Sequence, residues 1–205
     1  MQFDCVQFDC VRWRSMMVSK PRALVSGHSF VRRVVEFTYL HHDSYRRDLN
    51  LSEVCGVEIF GVGGRTVNTM IRLDLEVIKR NAPNAVVLEI GTNDICDRHC
   101  DADTVALSIV AFTEMLIKSL SVVCQILPRM HTPFEGYNER NQKVNTFLQE
   151  ALQNINSVKF WRHRGLVNPA KTVYARDGIH LNDVGNEALN SSYRGAILFA
   201  LSQCH

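Results

Sequence analysis

Short apolar runs, most of them closed by glycine or proline, recur along the chain and alternate with longer segments of helical periodicity. Continuous apolar runs of this length are typical of parallel strands that are covered on both faces. We predict five such strands, at residues 22–26, 57–60, 85–90, 122–127 and 158–161.

Hydrophobic positions between these runs recur at the spacing of amphipathic helices. The stripes predict helices over residues 67–78, 105–120, 144–155 and 189–201, and a further helix opens at Ser29. Strands that alternate with helices of this size imply βαβ crossovers, which cover both faces of a parallel sheet. The pattern therefore predicts the α/β class, with a three-layer α/β/α sandwich around a five-stranded parallel sheet.

This sheet and its helices are predicted to form one domain over residues 22–205, with residues 1–21 as an N-terminal extension outside the core. In that extension, the stretch Gln2–Val6 is repeated at once as Gln7–Val11. Nothing later in the chain continues the period, so this is no solenoid repeat. We interpret it as an extension outside the fold, with a functional arm as the alternative.

Composition and charge narrow the class of protein. The 205 residues are 46% hydrophobic and 21% charged, which is ordinary for a soluble globular domain. Lys and Arg total 23 against 21 Asp and Glu, and a net charge of +2 argues against a protein built mainly to bind nucleic-acid phosphates. No stretch reaches the roughly 18–20 apolar residues that span a bilayer, so no membrane span is expected.

The cysteines and the N-terminus bear on the compartment. Charged residues interrupt any apolar segment near the N-terminus, so no signal peptide is predicted. Seven cysteines are an odd number, which favours free thiols in a reducing, intracellular and cytoplasmic setting. Cys96, His99 and Cys100 lie close together, but no second ligand pair stands at a zinc-site spacing. We therefore predict a polar loop there, and neither a metal nor an organic cofactor.

Chemistry in such a sheet collects where the carboxyl ends of the strands meet their loops. The first strand is followed by Gly27-His28-Ser29. Ser29 stands at the start of a helix, where backbone donors are free and the helix dipole is positive. Two interpretations of Ser29 stay open, a nucleophile and a helix N-cap.

The next two loops offer hydrogen-bond donors. The segment Gly61–Thr66 has neither the G-x-G-x-x-G spacing nor a P-loop lysine, and its glycines instead allow a close approach of the backbone to a ligand. In Gly91-Thr92-Asn93-Asp94, the amide of Asn93 either donates to an oxyanion or forms an Asx-turn.

The last loop places Asp177 three residues before His180, just ahead of a helix that begins near Asp183. In a tight loop, the carboxylate can hold one ring nitrogen while the other faces a nucleophile. This is the orienting and basic half of a catalytic triad.

The four motifs occur in order in one chain, each beside an expected strand or helix. Together they resemble the SGNH (GDSL-type) hydrolase superfamily, and the resemblance covers roughly residues 22–202. The segments 126–129 and 138–145 are also similar to the catalytic subunits of intracellular platelet-activating-factor acetylhydrolase. The chain further resembles the esterase domain of some LINE-type retrotransposon proteins.

The resemblance implies a flavodoxin-like SGNH hydrolase fold and a serine esterase that hydrolyses small, acetyl-type acyl esters through an acyl-serine intermediate. It implies Ser29 as the nucleophile, His180 as the base and Asp177 as the residue that orients the base. The oxyanion hole would comprise the backbone N–H groups of Ser29 and Gly64 and the side-chain amide of Asn93. The expected ligand is a small acyl ester, without a cofactor.

One position departs from the family. His28 stands where the family usually has aspartate, so the hydrogen bonds of this loop must differ. Gly-His-Ser also fits the start of the α/β-hydrolase nucleophile elbow, G-x-S-x-G. However, Val31 occupies the final glycine position, where a β-branched side chain resists the strained turn, so we favour the SGNH interpretation.

A second class of function stays open. The chain could be a non-catalytic or weakly catalytic SGNH-fold module of a retrotransposon-type protein, acting in assembly or nucleic-acid binding. Segments such as Arg12-Trp13-Arg14 and Trp161–Arg164 offer arginine and aromatic contacts to nucleic acid. A complete set of catalytic residues favours the enzyme, because a module freed from catalysis has no physical need for all of them. The sequence leaves the oligomeric state open.

Overall fold

The parallel sheet lies at the centre of the protein. A computed structural model describes residues 20–116, 118–166 and 172–203. The strands are β1 Arg22–Gly27, β2 Gly56–Gly61, β3 Ala85–Glu89, β4 Leu120–Cys124 and β5 Val158–Trp161. Their order in the sheet is β2-β1-β3-β4-β5, and every neighbouring pair is parallel. The predicted sheet is confirmed.

Helices cover both faces of this sheet. They are α1 Ser29–Leu40, α2 Val67–Leu73, α3 Leu75–Asn81, α4 Ala102–Glu114, α5 Tyr137–Ala151 and α6 Asp183–Ser202. Apolar residues of α1 and α6 share one buried cluster with one face of the sheet, and those of α2 to α5 share a second cluster with the other face. The result is the predicted three-layer α/β/α sandwich.

Strand β3 shows why continuous apolar runs predict this architecture. All its residues are buried. Val86 and Leu88 point into the cluster of α2 to α5, whereas Ala85 and Val87 point into the cluster of α1 and α6. Because successive side chains of a strand face opposite sides, a strand covered twice needs apolar residues at consecutive positions.

The single helix predicted over residues 67–78 is wrong, because Asp74 divides it into α2 and α3. The carboxylate of Asp74 accepts two hydrogen bonds from the guanidinium of Arg65, at 2.9 and 3.0 Å. This partly buried ion pair fixes Asp74 at the junction of the two helices, an interaction that hydrophobic periodicity does not report.

The stripe predicted over residues 105–120 is also too long. Helix α4 ends at Glu114, and Leu120 instead opens β4, where it pairs with Ala85 of β3. The strand prediction 122–127 is correspondingly displaced toward the C-terminus. Pairing with β3 decides the conformation of Leu120, although its spacing fits the helical stripe.

Two other sequence predictions concern residues outside the described ranges. The duplicated N-terminal segment and the Arg12-Trp13-Arg14 motif lie within residues 1–19. In the part of the chain that the structure describes, no helix is both long and apolar enough to cross a membrane.

Candidate active site

Ser29 is the first residue of α1, at the carboxyl end of β1. The N-cap of this helix is the preceding residue, His28, whose Nδ1 accepts a hydrogen bond from the backbone N–H of Phe30 at 3.4 Å. The N-cap interpretation of Ser29 is therefore wrong. Because His28 supplies the cap, the hydroxyl of Ser29 is available to another partner.

That partner is His180. Its Nε2 lies 3.1 Å from Oγ of Ser29, and its Nδ1 lies 2.7 Å from Oδ2 of Asp177. The carboxylate accepts the Nδ1 proton, which leaves the Nε2 lone pair facing the hydroxyl. The structure thus brings the three predicted residues together in the order that proton abstraction from a serine requires.

The loop that holds Asp177 and His180 is a tight turn. Oδ1 of Asp177 accepts hydrogen bonds from the backbone N–H groups of Ile179 and His180, at 3.0 and 2.9 Å. Gly178 lies in the left-handed region at φ +63°, and a Cβ there would lie 2.5 Å from the ring of His131. Glycine is therefore required between the carboxylate and the imidazole.

Protonation of Asp177 is disfavoured in the folded protein. Partial burial raises its pKa, but hydrogen bonds from the His180 ring and from the backbone N–H groups of His180 and Ile179 outweigh that effect. The net result is a pKa well below the usual range. The carboxylate is thus charged at neutral pH and accepts the Nδ1 proton of His180.

This pKa gives a prediction for acid stability. The pKa of Asp177 is lower folded than unfolded, where it is about 3.9. Its contribution to stability is therefore present above about pH 4 and is lost as the pH falls through the folded value. We expect Asp177→Asn to lower Tm at about pH 7 and to have a smaller effect near about pH 3, as measured by thermal unfolding at stepped pH.

Asp43→Asn is the matched control, because the side chain of Asp43 is 94% exposed. Its effect on Tm should be small at every pH. A deficit of Asp177→Asn that stays constant from neutral to acid pH would contradict the assignment of these hydrogen bonds.

Gly64 and Asn93 lie in the loops after β2 and β3. Gly64 is exposed, has φ +77° and has open space where a Cβ would project. Asn93 makes no side-chain capping bond. Its amide instead donates to the backbone carbonyl of Arg65 at 2.8 Å. The second amide proton of Asn93 remains available to a ligand. The hydrogen bond to Arg65 ties the Asn93 loop to the loop Gly61–Thr66.

A second bond joins the same two loops. Oδ1 of Asp94 accepts from the backbone N–H of Val67, the first residue of α2, at 3.0 Å. Burial raises the pKa of Asp94, and the Val67 hydrogen bond partly opposes that rise. The loops that carry Gly64 and Asn93 are thereby held in fixed relation to each other.

A buried network behind Ser29 was missed at the level of sequence. Glu89, at the end of β3, is completely buried and accepts hydrogen bonds from Nε2 of His163 at 2.9 Å and from the hydroxyl of Tyr193 at 3.2 Å. The signal was present as one carboxylate within the apolar run 85–90. Polar residues in a strand buried on both faces need partners.

Arg129 lies in the segment 126–129 noted in the sequence, but the sequence did not indicate its contacts. Its guanidinium is buried, donates to the hydroxyl and carbonyl of Thr92 at 3.2 and 3.4 Å, and lies 4.9 Å from the ring centre of Tyr137. Because Thr92 precedes Asn93, Arg129 supports the loop that offers the amide donor.

Cys96, His99 and Cys100, the alternative zinc site, do not come together as a cluster of candidate ligands. The thiols of Cys96 and Cys100 face backbone carbonyls, at 3.1 and 3.8 Å. Over residues 20–116, 118–166 and 172–203, the one cluster of three candidate ligands is the buried set Glu89, Cys124 and His163. Nε2 of His163 and Oε2 of Glu89 are already hydrogen-bonded to each other at 2.9 Å.

Comparison with protein families gives one match. The model of the GDSL-like Lipase/Acylhydrolase family matches residues 37–188, a range that contains Gly64, Asn93, Asp177 and His180. The match begins after Ser29, so the placement of that serine comes from the contact with His180. No curated protein sequence matches the chain.

Solved structures share the fold. A GDSL-like lipase from Bacteroides thetaiotaomicron is 20% identical, with a TM-score of 0.65 and coverage of 87% of this chain and 88% of the other. A lipolytic protein of the G-D-S-L family from Veillonella parvula is 19% identical, with a TM-score of 0.66 and coverage of 85% and 96%.

An acetylxylan esterase from Geobacillus stearothermophilus is 14% identical, with a TM-score of 0.65 and coverage of 87% of this chain and 94% of the other. Structures of its catalytic mutants replace a serine, an aspartate and a histidine, and the last two are three positions apart. At these identities the likeness establishes a common fold.

Proposed function

The chain belongs to the GDSL-like lipase/acylhydrolase family, and from this membership we propose that it is a serine esterase that hydrolyses small, acetyl-type acyl esters through an acyl-serine intermediate. The observation that carries the proposal is the hydrogen-bonded series Asp177–His180–Ser29, with heavy-atom distances of 2.7 and 3.1 Å. The acetylxylan esterase supports it, since its catalytic mutants concern the same residue types with the same Asp-x-x-His spacing.

The mechanism begins with attack of Ser29 Oγ on the ester carbonyl carbon while Nε2 of His180 accepts the hydroxyl proton. The carbonyl oxygen becomes an oxyanion, for which the backbone N–H groups of Ser29 and Gly64 and the free amide proton of Asn93 are the donors. Collapse breaks the bond to the leaving oxygen, which receives the proton from His180 and departs as an alcohol.

The second half regenerates the enzyme. Water attacks the acyl-Ser29 carbonyl while His180 again accepts a proton, and the same donors stabilise the second tetrahedral intermediate. Collapse returns the proton to Ser29 Oγ and releases the carboxylic acid. Throughout, the charged carboxylate of Asp177 stabilises the imidazolium and holds its ring in place.

The exposure of the site to solvent supports a preference for esters with small acyl groups. The side chains of His180 and Asp177 are 21% and 42% exposed, so these two residues lie near the surface. A shallow site offers little apolar surface to a long acyl chain, and binding energy therefore rises little with chain length.

The test measures how fast the purified protein hydrolyses p-nitrophenyl acetate, butyrate and octanoate. We expect kcat/KM to be highest for the acetate, and a fluorophosphonate to label Ser29, as located by peptide mass spectrometry. Absence of ester hydrolysis, or labelling at another serine, would overturn the proposal.

Asn93→Ala tests the oxyanion donors. Removal of one donor is expected to lower kcat by about 10²–10³-fold with little change in KM, because the bond strengthens as negative charge develops. Steady-state kinetics with p-nitrophenyl acetate measures both constants. Asn154→Ala is the control, since Asn154 is exposed and lies just before β5. It is thus at the amino ends of the strands, whereas Asn93 lies at their carboxyl ends. Equal kinetics for the two variants would exclude Asn93 as a donor.

A further inference from the structure

Glu89 places a carboxylate in the interior, directly behind the turn that holds Ser29. Glu89, His28 and His163 are all completely buried. A charge in such a position is costly unless its hydrogen-bonding capacity is filled. The two oxygens of Glu89 differ sharply in this respect.

One oxygen, Oε2, is the final acceptor of a chain of hydrogen bonds. The indole N–H of Trp161 donates to Ser192 Oγ at 2.9 Å, and Ser192 lies 2.8 Å from Nδ1 of His163. If Ser192 donates to Nδ1, the proton of His163 lies on Nε2, which donates to Glu89. Every donor in this series then has one acceptor.

The other oxygen, Oε1, makes no hydrogen bond of regular geometry among the described residues, and neither does Nε2 of His28, although the thiol of Cys124 also lies within 4.8 Å of the Glu89 carboxylate. Oε1 of Glu89 and Nε2 of His28 face each other at 4.0 Å. Because Nδ1 of His28 accepts the N–H of Phe30, the ring proton lies on Nε2 and points toward Glu89. Burial lowers the pKa of His28 to about 4, although the negative charge of Glu89 opposes this, so the ring is neutral at neutral pH.

The backbone connects this pair to the nucleophile. The N–H of His28 donates to the carbonyl of Glu89 at 3.2 Å. A Cβ on Gly27 would lie 2.1 Å from the same carbonyl oxygen, so the two segments are in close contact. Residue 28 also caps α1, whose first residue is Ser29, and its orientation therefore sets the direction of the Ser29 N–H and hydroxyl.

We propose that Glu89 is a positioning residue for Ser29, and that its buried charge requires a neutral side chain at position 28. An anionic residue at position 28 would face a second buried carboxylate, and the turn would move to separate them. The activity readout of this inference rests on the proposed esterase function, whereas its stability readout does not.

The test compares His28→Asn with His28→Asp. Asn and Asp are both strong N-caps of nearly equal size. Both variants therefore lack the imidazole ring, and they differ from each other in charge. We expect the Tm of His28→Asp to be lower by about 6 °C or more. We also expect fluorophosphonate labelling of Ser29 and kcat to fall by about 30-fold or more relative to His28→Asn, with KM within about twofold, because the defect is in positioning.

Glu89→Gln supplies the rescue. In the His28→Asp background it replaces the second carboxylate by an amide that can donate to Asp, and Tm and labelling should return toward the His28→Asn values. In the His28→Asn background the same change should give no gain. If His28→Asp fails to fold, recovery of a folded, labelled protein in the double variant gives the same answer.

Equal Tm and labelling for the two single variants, or no recovery on Glu89→Gln, would overturn the inference. Its failure is distinguishable from failure of the proposed function. A wild type without esterase activity, combined with the expected Tm differences, would refute the esterase and leave the charge requirement at position 28 in place.

Discussion

Ser29→Ala is expected to abolish ester hydrolysis, with a fall in kcat of roughly 10⁵–10⁶-fold for p-nitrophenyl acetate. The side chain supplies the atom that forms the acyl bond, and its Oγ lies 3.1 Å from the imidazole that accepts its proton. The remaining backbone donors can polarise a carbonyl, but they cannot form a covalent intermediate. Steady-state kinetics and loss of fluorophosphonate labelling measure the effect.

Ser26→Ala is the matched control. Ser26 lies three residues earlier in β1, and its buried hydroxyl has no hydrogen-bond partner in the described part of the chain. Removal of an unpaired buried hydroxyl should leave the activity and stability near the wild type. Wild-type turnover in Ser29→Ala would refute the assignment of the nucleophile.

His180→Ala is expected to lower kcat by about 10⁵-fold, because members of a triad act as a unit and the loss of the base is nearly as severe as the loss of the nucleophile. The ring accepts the serine proton and returns it to the leaving group, so both halves of the cycle fail. The side chain is 21% exposed, and the variant should fold. Kinetics and thermal unfolding separate these effects.

His131→Ala separates the role of His180 from a general need for an imidazole nearby. The ring of His131 lies beside the same loop, with Nδ1 3.0 Å from the backbone carbonyl of Asp177, and in the described part of the chain it makes no hydrogen bond to Ser29. We expect a loss of less than about tenfold. A loss as large as that of His180→Ala would mean that the loop's shape, rather than one base, limits the reaction.

The architecture could be predicted from sequence because it depends on local signals. Apolar runs in β1 and β3 report burial on both faces, and the glycines that close these runs mark where the loops at the carboxyl edge begin. The same reasoning placed Ser29 and His180 at that edge, where the structure brings them into contact. The catalytic roles and the resemblance to the LINE-type esterase domain remain predictions.

Features that depend on distant partners could not be predicted. The break at Asp74 follows from its ion pair with Arg65, and no periodicity reports such a pair. His28 was recognised as a departure from the family, but its facing partner Glu89 was not, because a period of two gives the face of a strand and not the neighbour on it. Tertiary contacts override local preference at each of these positions.

The contact between Ser29 and His180 joins residues that are 151 positions apart. Contacts of such large sequence separation carry a high loop-closure entropy and form late, after the intervening crossovers have docked. Reactivity of Ser29 should therefore emerge last during refolding, later than helical circular dichroism and burial of tryptophan. A reagent that reacts only with the activated serine would thus time the completion of the native topology.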